Sequence, residues 1–193
     1  MPGLVLIAYS QVYMHGFIFI EYEKFALNHL SYKAWDEILA ENNLQDRQYN
    51  PVTIYPDSEI RALLSSVSRR TQLPQEQLLE LFGMHLVPDL MKVYRAYINP
   101  QWRTLDLLEH AENTIHVSVR KSTAGAAPPI LQVFRLRHNE IEIHYVSERK
   151  MIELGVGIIK GLARFFNETD NISVELLKNE AAGSSKIMVR QLF

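Results

Sequence analysis

The 193-residue chain has no cysteine. That excludes disulfides, thiolate-bound haem, cysteine-based zinc and iron–sulfur sites, and any cofactor attached through Cys-x-x-Cys-His. It fits a reducing compartment, so a cytoplasmic location is expected. An excess of one charge is also lacking. Twenty Lys and Arg stand against 22 Asp and Glu, for a net charge of -2, and the basic residues are scattered, so no nucleic-acid partner is expected. Long apolar runs are missing too. The first twenty residues are apolar but broken by Gly3, Tyr9, Ser10, Gln11 and His15, which argues against a membrane span. No positively charged segment precedes them, which argues against a secretion signal. There is no internal repeat, low-complexity run, P-loop, zinc motif or nucleophile–base pair. What remains is 47% hydrophobic and 22% charged, the composition of an ordinary globular domain with a substantial core.

Read in order, the chain changes period once. Phe17–Leu30 has mostly helical apolar spacing, although Phe17-Ile-Phe-Ile20 alone also suits a strand. Ser31 reads as the N-cap of a short helix over Tyr32–Ala40, and Asn42–Pro56 as a loop. Asp57–Arg70 reads as a helix. Another starts at Pro74, with a kink or break expected at Pro88. A further helical piece runs from Trp102 to about His116, loosened at Asn113-Thr114. Alternation then takes over, with strands beginning at Ile130 and Ile141 around a turn at His138-Asn139-Glu140. A helix follows over Met151–Phe166, then strands Ile172–Leu177 and Lys186–Leu192 around Gly183-Ser184-Ser185. The order is helices first, then β-β-α-β-β.

The most informative stretch is His116–Arg149. It begins with a histidine, passes through Pro128-Pro129 and ends in Tyr145-x-Ser147-x-Arg149. In extended chain those last three residues share one side. A phenol, a hydroxyl and a guanidinium together can hold paired carboxylates. A neutral imidazole upstream can ligate a metal. A planar body carrying both carboxylates and a metal describes haem. His116 has six rivals: His15, His29, His85, His110, His138 and His144. His144 adjoins the motif, but alternation turns it away from the face of Tyr145.

At His116, Pro129 and Tyr145-Val-Ser147-Glu-Arg149 the sequence resembles the haem nitric oxide/oxygen binding (H-NOX) sensor family, in order and in spacing. The resemblance extends from Met14 to the C-terminus. It implies an α+β fold, with a helical N-terminal lobe, a C-terminal lobe built on a four-stranded antiparallel sheet and helices, and haem between them. Residues 1–13 are then an N-terminal extension, from a misassigned start, and 14–193 a single haem-binding domain, since the family usually opens at a Met-x-Gly like Met14-His15-Gly16. The resemblance further implies noncovalent haem b, His116 as the axial iron ligand, propionates held by Tyr145, Ser147 and Arg149, and Pro129 pressing on the porphyrin.

By the same analogy Ile18, Tyr22, Leu86, Leu154 and Ile158 line the gas-binding side. Oxygen-binding relatives carry a tyrosine donor where this chain has Leu154. Tyr22 is read either as a packing aromatic or as a substitute donor. The expected function is a non-enzymatic sensor of nitric oxide and CO. NO binding would release His116 and shift its helix, and the signal would pass in trans to a histidine kinase or a cyclic-di-GMP enzyme. Two rivals stay open on the residues alone. One is a haem-free module binding a small apolar ligand or a protein. The other is a peroxidase-like enzyme, which wants a distal acid–base pair that these apolar residues do not supply.

Overall fold

Tyr13–His15 (β1) pairs antiparallel with Ile54–Pro56 (β2), placing Met14 opposite Tyr55. Both of those side chains are buried. The computed structural model describes residues 13–178 and 185–193. Residues 1–12, nearly all of the expected extension, lie outside the described residues, as do Gly183 and Ser184 of the expected last turn. The Asn42–Pro56 loop thus ends in a strand, because three residues are too few to show an alternating pattern.

Gly16–Leu27 (α1) starts directly after β1. A Cβ on Gly16 would stand 2.0 Å from the Asn50 carbonyl oxygen, so only glycine allows this close turn. Tyr32–Glu41 (α2) is capped as expected by Ser31, whose hydroxyl accepts the Ala34 N–H at 3.2 Å. Asp57–Thr71 (α3) carries Asp57 and Glu59 in its first turn and Arg69 and Arg70 in its last, complementing the helix dipole. Gln75–Val93 (α4) continues through Pro88 without the expected break. Pro88 is exposed, while Leu86 and Val87 beside it are buried and hold the helix across the lost hydrogen bond.

Thr104–Ala111 (α5) runs into a π-helical turn over Glu112–His116 and on into Val117–Ser122 (α6). The irregularity expected at Asn113-Thr114 is this π turn, but the helix passes His116 instead of ending there. Ile130–Arg137 (β3), Glu140–Val146 (β4), Ile152–Phe165 (α7), Ile172–Lys178 (β5) and Ser185–Gln191 (β6) complete the chain. The strands form one antiparallel sheet in the order β3-β4-β6-β5. The fold is α+β, as the sequence led one to expect.

Two apolar clusters make the core. One gathers residues of α1 to α4, among them Phe19, Tyr22, Ile38, Leu63, Phe82 and Leu86. The other joins α5, α7 and the inner sheet face through Leu107, Ile141, Ile143, Ile159 and Ile187. Helices α4 and α7 form the seam between them and touch backbone to backbone. A Cβ on Gly83 would lie 2.3 Å from the Leu154 carbonyl oxygen, and one on Gly157 would lie 2.0 Å from that of Glu80. Among the described residues no helix is long and apolar enough to cross a membrane.

Candidate functional site

Residues of both clusters line a cavity of about 250 Å³ whose walls are almost wholly apolar. Ile18 of α1, Leu86 of α4, and Leu154 and Ile158 of α7 reach it. So do His116 from the π turn, Pro129 from the segment before β3, Tyr145 from β4, and Arg149 from the turn before α7. Eight of the ten expected site residues therefore meet in one place.

The other two do not line it. Strand β4 ends at Val146, so the alternation stops before Ser147. Ser147 is half-buried, and its hydroxyl accepts the Arg149 N–H at 3.3 Å, which shapes the turn leading to Arg149. Tyr22 is buried beside a separate small void, which shares Ile18 and Leu154 with the main cavity. Its ring meets Phe82 edge-on at 5.0 Å, and its hydroxyl has no hydrogen-bond partner among the described residues.

His116 is held by a carboxylate one turn back. Its Nδ1 lies 3.0 Å from Glu112 Oε2. The same oxygen accepts the Leu131 N–H at 3.0 Å, and Arg120 Nη2 donates to Oε1. Burial alone would push the Glu112 carboxyl up. The Leu131 N–H, Arg120 and His116 together outweigh it and hold the group below the usual carboxylate range. Burial pushes His116 down, more strongly than Glu112 and the Pro129 carbonyl pull it up. The imidazole is therefore neutral near pH 7. An ionised carboxylate only accepts, so Nδ1 carries the proton and Nε2 keeps a lone pair suited to a metal.

Arg149 is a buried cation. It donates to the carbonyls of Ala127 and Tyr13, while its Nε is buried without a partner. Among the described residues no carboxylate lies within ion-pairing distance of it. Burial lowers the guanidinium pKa. Asp57 and Glu148 attract the charge from a distance without offsetting burial, and an anionic ligand bonded to the guanidinium would offset it further. Burial raises the Tyr145 phenol more than its bond with the Ser147 hydroxyl and the Arg149 charge lower it, and its hydroxyl donates to the Met151 carbonyl at 3.4 Å, so it stays a neutral donor beside the guanidinium. A lone-pair nitrogen, a cation, a phenol and apolar walls fit a flat metal-bearing group with acidic side arms.

Sequence reading missed several residues. Tyr13, His15 and Tyr94 also line the cavity. Tyr13 and His15 escaped because their segment was read as an extension and a starting motif, not as a wall. Glu112 had a legible signal, since residues four apart on a helix share a face.

The chain is similar to known proteins in sequence and in fold. The Haem-NO-binding family model matches residues 15–174. Among solved structures, the chain is similar to an H-NOX protein from S. oneidensis in the Fe(II)NO ligation state, at 21% identity over 92% of this chain and 99% of that one, with a TM-score of 0.82. It is similar to a mutant of the K. algicida H-NOX protein in the Fe(II) unliganded state, at 25% identity over 92% and 96%, with a TM-score of 0.80. It is also similar to a mutant of T. tengcongensis H-NOX, at 27% identity over 93% and 97%, with a TM-score of 0.79. The chain belongs to the Haem-NO-binding family, as a haem b gas-sensor domain and not an enzyme.

Proposed function

We propose that the protein senses nitric oxide at ferrous haem held in this cavity, with His116 as the axial ligand. The observation that carries the reading is the pairing of one oriented, neutral imidazole with a largely apolar cavity whose walls include Ile18, Leu86, Leu154 and Ile158. Arg149 and Tyr145 hold the propionates, and Ser147 acts through the turn that presents Arg149. Pro129, next to β3, packs on the ring from the cavity wall.

Haem held by His116, Arg149 and Tyr145 would supply a ferrous iron able to take up NO. The chain's part is to let His116 go. The π turn already departs from regular helix, so the segment from α5 to α6 has a joint at which it can move. Such a shift biases a two-state protein, and the signal passes in trans to a histidine kinase or a cyclic-di-GMP enzyme. CO binds the same position. Oxygen is disfavoured because the leucines offer no hydrogen bond to a partly charged ligand.

The test is an absorption spectrum of the reduced protein, first in air and then with NO. The ferrous spectrum should persist in air and change at once on adding NO. His116→Gly should purify with little haem unless imidazole is supplied. Normal haem content in His116→Gly, or a reversible spectral change in air, would overturn the reading.

A further inference from the structure

We propose that Glu112 is a positioning residue that sets the strength of the iron–His116 bond, and that Arg120 tunes it in the opposite sense. The proposal rests on the reading of His116 as the iron ligand and goes beyond it. Glu112, His116 and Arg120 stand four residues apart in succession and so share one stripe of the helix. The Glu112 carboxylate accepts from His116 Nδ1 and the Leu131 N–H through one oxygen and from Arg120 through the other. Three donors leave it little freedom, so it fixes the imidazole's rotation as well as its tautomer.

A carboxylate that accepts the Nδ1 proton gives the ring imidazolate character and makes Nε2 a stronger donor to a metal. Arg120 draws charge from the same carboxylate and weakens that push. The acid also joins the helix to the first residues of β3, so His116 cannot leave without straining the Leu131 contact. The site is thus built to hold His116 firmly until a ligand with a strong opposing effect arrives.

The experiment is resonance Raman spectroscopy of the full chain, loaded with ferrous haem. Glu112→Gln keeps an acceptor for Leu131 but loses the charge, and should move the iron–histidine stretch to lower frequency. Arg120→Gln frees the carboxylate and should move it to higher frequency. With NO, Glu112→Gln should release His116 in a larger fraction of molecules than the unmutated chain. A purely structural role would shift both variants the same way, and that result, or an unmoved band in Glu112→Gln, overturns the proposal. If Glu112→Gln fails to hold haem, Arg120→Gln decides alone, and an unmoved or lowered band overturns it. If the protein-derived band survives in His116→Gly, the ligand assignment fails instead, which separates the two outcomes.

Discussion

His15 Nε2 lies 3.2 Å from Thr123 Oγ1, joining residues 108 positions apart. The contact ties β1 to the residue that ends α6, so the first strand and the His116 segment are fastened at one edge of the cavity. Thr123→Val removes the hydroxyl while keeping the shape. Loss of one such bond is worth about 1 kcal/mol, or roughly five-fold in an equilibrium. Haem should therefore leave Thr123→Val several-fold faster, measured by transfer to an apo-globin acceptor. Unchanged transfer would show that the tie does not restrain the cavity.

Arg149 and Ser147 should separate cleanly. Arg149 reaches the cavity as a cation, whereas Ser147 braces its backbone and bonds the Tyr145 phenol from outside the cavity. A charge-assisted bond is worth about 1.5–3 kcal/mol and a neutral one about 1. Arg149→Ala should lose more haem on purification than Ser147→Ala, read as the ratio of haem absorbance to protein absorbance. Equal retention would remove Arg149 from its role.

Tyr22 gives two readouts in one variant. Its hydroxyl is buried and has no hydrogen-bond partner among the described residues, and such a group costs about 1–3 kcal/mol. Tyr22→Phe should raise the urea midpoint of the apo protein or leave it unchanged, and should leave the ferrous spectrum in air untouched. A fall in the midpoint would mean that the hydroxyl finds a partner. Leu154→Tyr, by contrast, places a donor on the cavity wall and should create a spectral response to oxygen.

Acid should destabilise the apo protein. Burial depresses His15, His85 and His116 below the ordinary histidine value of 6.5. For His85, burial outweighs the attraction of Glu21 on α1 and Asp89 on its own helix, and Lys24 and His29 add to the fall. Once unfolded, these histidines titrate near 6.5 and take up protons that the folded chain refuses. Stability is then full above about pH 6.5 and drains as pH falls toward the depressed folded values. The urea midpoint should be lower at pH 5.5 than at 7.5, and His85→Gln should narrow the gap. An equal or higher midpoint at pH 5.5 would contradict the burial of these rings.

Most of the fold was legible because apolar periodicity reports which face is buried. The change to alternation at Ile130 marked the sheet, and Ser31 marked a helix start. The pairing of β1 with β2 was not legible, since three-residue strands far apart in sequence carry no local pattern. The break allowed for at Pro88 is absent for a different reason. Propensity describes a helix alone, whereas Leu86 and Val87 pack this one in place. At the site, the family resemblance singled out His116, Pro129, Tyr145 and Arg149, all of which reach the cavity. Ser147 fell outside the cavity because alternation was extended past the point where β4 ends. Tyr22 fell outside because helical phase tells which residues face inward, not which of two neighbouring voids they reach.

The glycine seam between α4 and α7 sets what kind of motion the molecule can transmit. Ordinary helix contacts slip by exchanging side-chain rotamers, but where Gly157 meets the Glu80 carbonyl there is no side chain to exchange. Each helix is the other's bearing surface. Where these backbones meet, one helix cannot creep along the other, so relative movement of the two clusters is confined to a turn about this contact.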